Sequence, residues 1–219
     1  MDAPENRFLS RKGPPHIATL ILLSGLSALA MNIFLPSLPN MATYFDAPYR
    51  LMQLSVALYL AVNAVLQILI GPISDKLGRR PVIMAGMVIF ILASVGCALS
   101  TSAAMFLTFR MVQAGIVVAM VLSRAVVRDM VPQDRAASMI GYVTMGMAVV
   151  PMVGPMFGGM LEQAFGWQAN FWVLTVVGIL ILALTWADLG ETAQGSGLSF
   201  AQQFREYPVL CRSLRFWGY

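Results

Sequence analysis

Arg110 is the only Asp, Glu, Lys or Arg between positions 81 and 123, in the stretch "AMFLTFRMVQAG". A guanidinium in hydrocarbon costs at least about 2.5–3.5 kcal/mol unless it snorkels to the interface or finds partners. Arg110 therefore either faces the protein interior or a wet cavity, or reaches the nearer surface, and Gln113 follows it within one helical turn. Tyr59, Asn63 and Gln67 are spaced i, i+4, i+8, which puts three polar groups on one face of an apolar helix. Such a stripe, with Asn32 in the preceding apolar run, either binds helices together or lines a path. A third group is "GPISDKLGRRPVI" (71–83), where Asp75 stands among Lys76, Arg79 and Arg80 between Gly71 and Gly78. Its chemistry is charge pairing and capping: Asp75 can accept from free backbone amides or pair with an arginine, and Pro81 suits the first turn of a new helix. The glycines allow a tight turn or close helix contact.

None of this is covalent chemistry. The chain has no nucleophile constellation and no metal cluster, and no cofactor is expected. Its two cysteines, Cys97 and Cys211, read as apolar filler and a free thiol rather than a disulfide framework. His16 reads as a surface or topology residue at the edge of the first apolar run.

The elements that carry these residues follow from where charge is missing. Of 219 residues 58% are hydrophobic and 11% charged, and the segments 17–45, 51–74, 81–109, 136–161 and 163–187 contain no Asp, Glu, Lys or Arg. A bilayer core about 30 Å thick needs roughly 20 apolar residues of helix, so each segment is long enough to cross. The third continues past Arg110 to Ser123 and divides at "STSA" (100–103) into two. The expectation is an all-α membrane protein with six transmembrane helices near 16–38, 50–73, 81–100, 104–124, 136–160 and 168–188. A soluble all-helical domain would have almost no polar surface left. The first run is too long for a signal peptide and continues into "NIFLPSLPN" without a cleavage pattern.

The organisation read from this is a tail at 1–15, a bundle at 16–188, and a linker with the start of a seventh helix at 189–219. Twelve of the fourteen basic residues fall in segments on one side of the six spans, which predicts that both ends of the bundle are cytoplasmic. That alternation also excludes nucleic acid as the reason for the net charge of +4.

The fifth span carries "GMAVVPMVGPMFGG" (146–159), with Pro151 and Pro155 in a helix that a soluble protein would tolerate poorly. Gly154, Gly158 and Gly159 give it a smooth face for another helix, and the prolines suggest a kink.

These residues together resemble the major facilitator superfamily. Gly71, Asp75, Gly78, Arg79 and Arg80 match its loop signature between helices 2 and 3, G-x-x-x-D-x-x-G-R-[RK]. Gly154, Pro155, Gly158 and Gly159 match the helix 5 antiporter signature, with Val150 where a first glycine is usual. Arg110 with "RMVQAG" is similar to the helix 4 arginine of proton-coupled families. "NIFLPSLP" (32–39), the glutamines Gln53 and Gln67, "SRAVVRDMV" (123–131) and "FGWQANF" (165–171) resemble the Bcr/CflA drug resistance subfamily.

The resemblance implies one half of a twelve-helix transporter of the bacterial inner membrane. It implies efflux of drugs or small hydrophobic compounds by alternating access, driven by the proton gradient. Arg110, Asn32, Tyr59, Asn63, Gln67 and Gln113 would serve transport or coupling, and the 71–80 loop would gate. The partners expected are a small-molecule substrate, the lipid bilayer and a second six-helix half in the same polypeptide. Asn32 replaces the subfamily's helix 1 aspartate and cannot exchange a proton. That keeps open a facilitator or metabolite exporter with different coupling; a truncated, non-transporting membrane protein is the other alternative.

Overall fold

The computed structural model describes residues 15–192, all in helices and short joints. The expected amphipathic segment and seventh-helix start near 200–219, the thiol of Cys211 and the basic tail at 7–12 lie outside the described residues.

Among the described residues eight α-helices build six spans. The first is α1 (Ile17–Asn32), a 3₁₀ turn at Leu35–Ser37 and α2 (Leu38–Tyr44). α3 (Tyr49–Leu77) and α4 (Arg79–Ala98) are the second and third. The fourth is α5 (Ala103–Gln113), a 3₁₀ turn at Ala114–Ile116 and α6 (Val117–Met130). α7 (Gln133–Phe165) and α8 (Gln168–Asp188) complete the bundle. All six meet the length and apolarity needed to cross a membrane.

The helices overrun the expected limits at Leu38, Ile73, Arg124 and Met160 for physical reasons. Charged side chains end an apolar run but not a hydrogen-bonded helix, so α6 continues through Arg124 and Arg128 to Met130. Pro36 lacks an N–H and falls in the 3₁₀ turn, which separates α1 from α2 without ending the span. α7 runs without interruption through Pro151 and Pro155. Tight junctions use glycine at positive φ: Gly78 (97°) between α3 and α4, and Gly166 (83°) between α7 and α8. Ser102 caps α5, its hydroxyl accepting from Met105 N–H at 3.3 Å.

The first span packs against α7, the second against the fourth span, and α4 against α8. This pattern is unchanged if spans one to three are exchanged with spans four to six. Both 3₁₀ turns lie in spans that exchange, the first and the fourth. Consecutive spans alternate direction, so the two triplets have the relation of an inverted repeat. At the end away from the basic loops, Phe34, Phe45, Phe106, Trp167 and Phe171 form a connected aromatic cluster. α3 and α7 are the least buried spans and expose rows of apolar side chains such as Val65, Met152 and Met156.

Candidate functional site

Arg110 does not snorkel. It is 1% exposed, its guanidinium carbon 4.2 Å from the Phe34 ring centre and 4.0 Å from that of Tyr59. A planar, delocalised cation between two aromatic faces is held by their negative π surfaces, an interaction stronger away from water. Its Nη1 donates to Gln113 Oε1, Gln113 Nε2 donates to Ser94 Oγ at 2.7 Å, and Ser94 Oγ donates to Phe90 O at 2.8 Å. Thus α5 supplies the charge, α3 and the turn after α1 the rings, and α4 the end of the hydrogen-bond chain. Among the described residues no carboxylate pairs with Arg110, and its Nε has no partner.

The 3₁₀ turn following Gln113 ends at Ile116, whose carbonyl accepts from Ser27 Oγ of α1 at 3.0 Å. This joins the break in the fourth span to the first.

Beside the turn lies a cleft of about 620 Å³, walled by α1, α3, α6 and α7. The polar stripe Tyr59, Asn63 and Gln67 forms one wall, with Asn32 and Ser27 across from it. Met31, Met120 and Met147 make much of the rest; such flexible, polarisable side chains can adapt to ligands of different shape. Tyr59 Oη and Asn63 Oδ1 are buried and make no hydrogen bond of ordinary length and angle. Asn32 Nδ2 donates to Ala28 O at 2.8 Å. Arg110 and Gln113 stand behind Tyr59 and are not part of the cleft wall, both being drawn into the buried amide and hydroxyl chain.

At the basic end, Arg79 is the hub. It pairs with Asp75 at 2.6 Å and with Asp129 of α6 at 3.2 Å, and also donates to Ser74 Oγ. Arg80 makes no ion pair among the described residues and donates from Nη2 to Trp186 O of α8 at 3.1 Å. Asp75 turns sideways to Arg79, so it does not cap the following helix. That role goes to Glu191, which accepts from Arg79 N–H at 2.8 Å and Arg80 N–H at 3.2 Å. Sequence reasoning missed Glu191, since it lies more than 100 residues away. It missed Asp188 as well, a buried carboxylate that accepts from His16 N–H at 2.8 Å and the Thr19 hydroxyl at 2.6 Å. Acids directly after the last apolar run were the available signal, as carboxylates favour helix N-termini.

The signature glycines differ in what they do. At Gly78 a Cβ would meet Glu191 Oε2 at 2.5 Å, whereas at Gly71 it would meet nothing within 4 Å. The close-approach reason given for Gly71 therefore fails: α3 runs straight through it.

On α7, a Cβ at Gly158 would lie 1.7 Å from Ile33 O, one at Gly154 3.3 Å from Leu29 Cδ1, and one at Gly146 2.7 Å from Ile21 Cγ2. Gly159 has only an ordinary contact to Pro36, and Pro155 lies within the unbroken helix beside this face. Val150 interrupts the glycines, and the residue facing it is Gly25 of α1.

The family model for the Major Facilitator Superfamily matches residues 20–219. A chloramphenicol resistance protein of Pseudomonas aeruginosa is 37% identical over 210 residues, covering 92% of this chain and 49% of that protein. Multidrug resistance protein MdtM of Salmonella typhimurium is 34% identical over 183 residues, covering 83% and 44%. Among solved structures, a peptide transporter POT in complex with sulfate superposes with a TM-score of 0.73 at 14% identity, over 96% of this chain and 47% of that one. The chain spans about half the length of the curated relatives it matches.

Proposed function

The chain belongs to the major facilitator superfamily, and from that premise we propose that it forms the first half of a drug exporter of the Bcr/CflA subfamily. It sits in the bacterial inner membrane with both ends of the bundle cytoplasmic. A second six-helix half in the same polypeptide closes the cleft, and the two halves rock to expose it alternately to either side. The substrate is a drug or small hydrophobic compound, as the names of the relatives suggest. The proton gradient drives export, and no bound cofactor takes part.

The observation that carries this reading is the cleft itself: a polar stripe of Tyr59, Asn63 and Gln67 facing an adaptable methionine wall, backed by a fully buried arginine. Arg79, held by Asp75 and Asp129, acts as the gate latch, because it ties the α3–α4 joint to the fourth span.

One observation favours a second reading of the coupling. Asn32 cannot carry a proton and spends its amide on Ala28 O, so proton transfer at this position is unavailable. Coupling then rests on another acid, or export is not proton-driven.

Both readings are tested by expressing the chain, and the chain continued with its native downstream coding sequence, in an efflux-deficient bacterium. Retention of chloramphenicol and of a fluorescent dye is followed with and without an uncoupler. Lower retention that the uncoupler abolishes supports proton-driven export. Efflux that persists with the uncoupler supports different coupling, and unchanged retention with both forms refutes export of these compounds.

A further inference from the structure

The cleft is backed by two arginines and lined by no acid. Arg110 stacks on the ring of Tyr59, one of its wall residues. Arg124 of α6 donates from Nη2 to the sulfur of Met147, another wall residue, at 3.4 Å. Neither makes an ion pair among the described residues, and the Nε atom of each is buried without a partner. The acids near the bundle are engaged at its ends: Asp75 and Asp129 with Arg79, Asp188 at the start of α1, and Glu162 with Asn40 at 2.6 Å.

An uncompensated charge acts over a long range in a medium of low polarity. Two such guanidinium groups, each one side chain behind the wall, make the cleft positive. Yet neither residue is part of the cleft wall, because Arg110 is stacked against two rings and Arg124 directs Nη2 to a thioether. An anion would lose its water there without gaining a direct hydrogen bond. What the wall does present is neutral and hydrogen-bonding: the amides of Asn32, Asn63 and Gln67, and the Tyr59 hydroxyl, which with Asn63 Oδ1 has no ordinary hydrogen bond within the protein.

We propose that the cleft is a site for uncharged, largely apolar molecules that carry a hydrogen-bonding group, and that Arg110 and Arg124 bar organic cations from it. The proposal rests on the export reading above for its purpose, but it is a statement about binding and can be tested apart from transport.

Three probes of similar size separate charge from shape: triphenylphosphine oxide (neutral, with one strong acceptor), tetraphenylphosphonium and tetraphenylborate. Binding is measured to the purified 219-residue chain in phosphatidylcholine nanodiscs, with empty discs subtracted. The oxide binds at least tenfold more tightly than the phosphonium. Gln67→Glu, at an exposed wall position, raises the ratio of phosphonium to oxide affinity about tenfold. Ala64→Trp, which fills the cleft from its exposed side, removes oxide binding. Phosphonium or borate binding as tight as the oxide in the unaltered chain overturns the proposal, as does the absence of saturable oxide binding. If the oxide binds with the stated preference but cells show no efflux, the cleft assignment stands and the exporter reading falls. Efflux with the charge order reversed sinks the cleft assignment alone.

Discussion

Tyr59 and Arg110 are coupled through a ring face, not through the phenol, and this makes their contributions separable. Tyr59→Phe keeps the ring and removes a hydroxyl without an ordinary hydrogen bond. It should change stability by no more than about 0.5 kcal/mol, because no paired group is left behind, as thermal unfolding in detergent would show. Arg110→Lys should lose about 2 kcal/mol or more, since a point charge cannot stack between Phe34 and Tyr59 as a planar cation does. Arg110→Met should be as stable as the parent or more so, because it removes a buried charge and fills similar volume. A Met variant that unfolds more readily than the Lys variant would contradict this account of the site. The position of Arg110 could be read from sequence, as a charge in an apolar run, but its fate could not. Whether a guanidinium snorkels or is enclosed depends on Phe34 and Tyr59, which lie more than 50 residues away.

At the level of the helices, the pairing of α1 with α7 rests on where side chains are missing. Gly158→Ala would drive a methyl group into the Ile33 carbonyl, and no rotamer change can relieve a clash with backbone. It should lower the stability by about 3 kcal/mol, at the upper end for overpacking, and it should do so in the full bundle rather than locally. Gly159→Ala and Gly25→Ala meet only ordinary contacts and should remain close to the parent in the same melt. If Gly158 and Gly159 variants melt alike, the close approach seen here is not maintained in the membrane. The helix 5 signature was legible as a glycine face, and its apparent defect at Val150 was not explained by the sequence. Only the packing shows that Val150 faces Gly25 of α1 there. The latch follows similar logic. Asp75 and Arg79 are partly exposed, so Asp75→Asn should cost no more than about 1 kcal/mol of stability. Its effect should instead be on transport rate, measured in the continued polypeptide; a large loss of stability with normal flux would mean the pair is only structural.

For the whole molecule, the two breaks fall in the first and fourth spans, which exchange between the triplets. The fourth span changes helix type where Ile116 lines the cleft, and the first does so at Leu35–Ser37, beyond its own cleft residues 27–32. Ser27 ties the first span to the second of these breaks through the Ile116 carbonyl. α3 and α7 expose the most apolar surface, which makes them the natural seat of a second half. With Cys97 and Cys211 replaced by Ala, nitroxide labels carried on Val65→Cys or Met152→Cys should be strongly relaxed by oxygen dissolved in the bilayer in the 219-residue chain. They should be shielded several-fold in the polypeptide continued with its downstream sequence. Equal relaxation in both would mean that these faces meet lipid in the longer form too.

Six spans were determined by the sequence alone, because hydrocarbon thickness sets how long a charge-free helix must be and charge marks where each ends. The Arg79 loop, the α7 glycine face and the polar stripe were likewise legible, since each is local in the chain. The tertiary structure alone decided that Arg110 is enclosed behind Tyr59, that Glu191 caps α4, that Asp188 receives the start of α1, and that Val150 faces Gly25. All four depend on contacts between residues far apart in sequence. A chain's local pattern specifies which groups need partners, and only the packing of helices decides which partners come within reach.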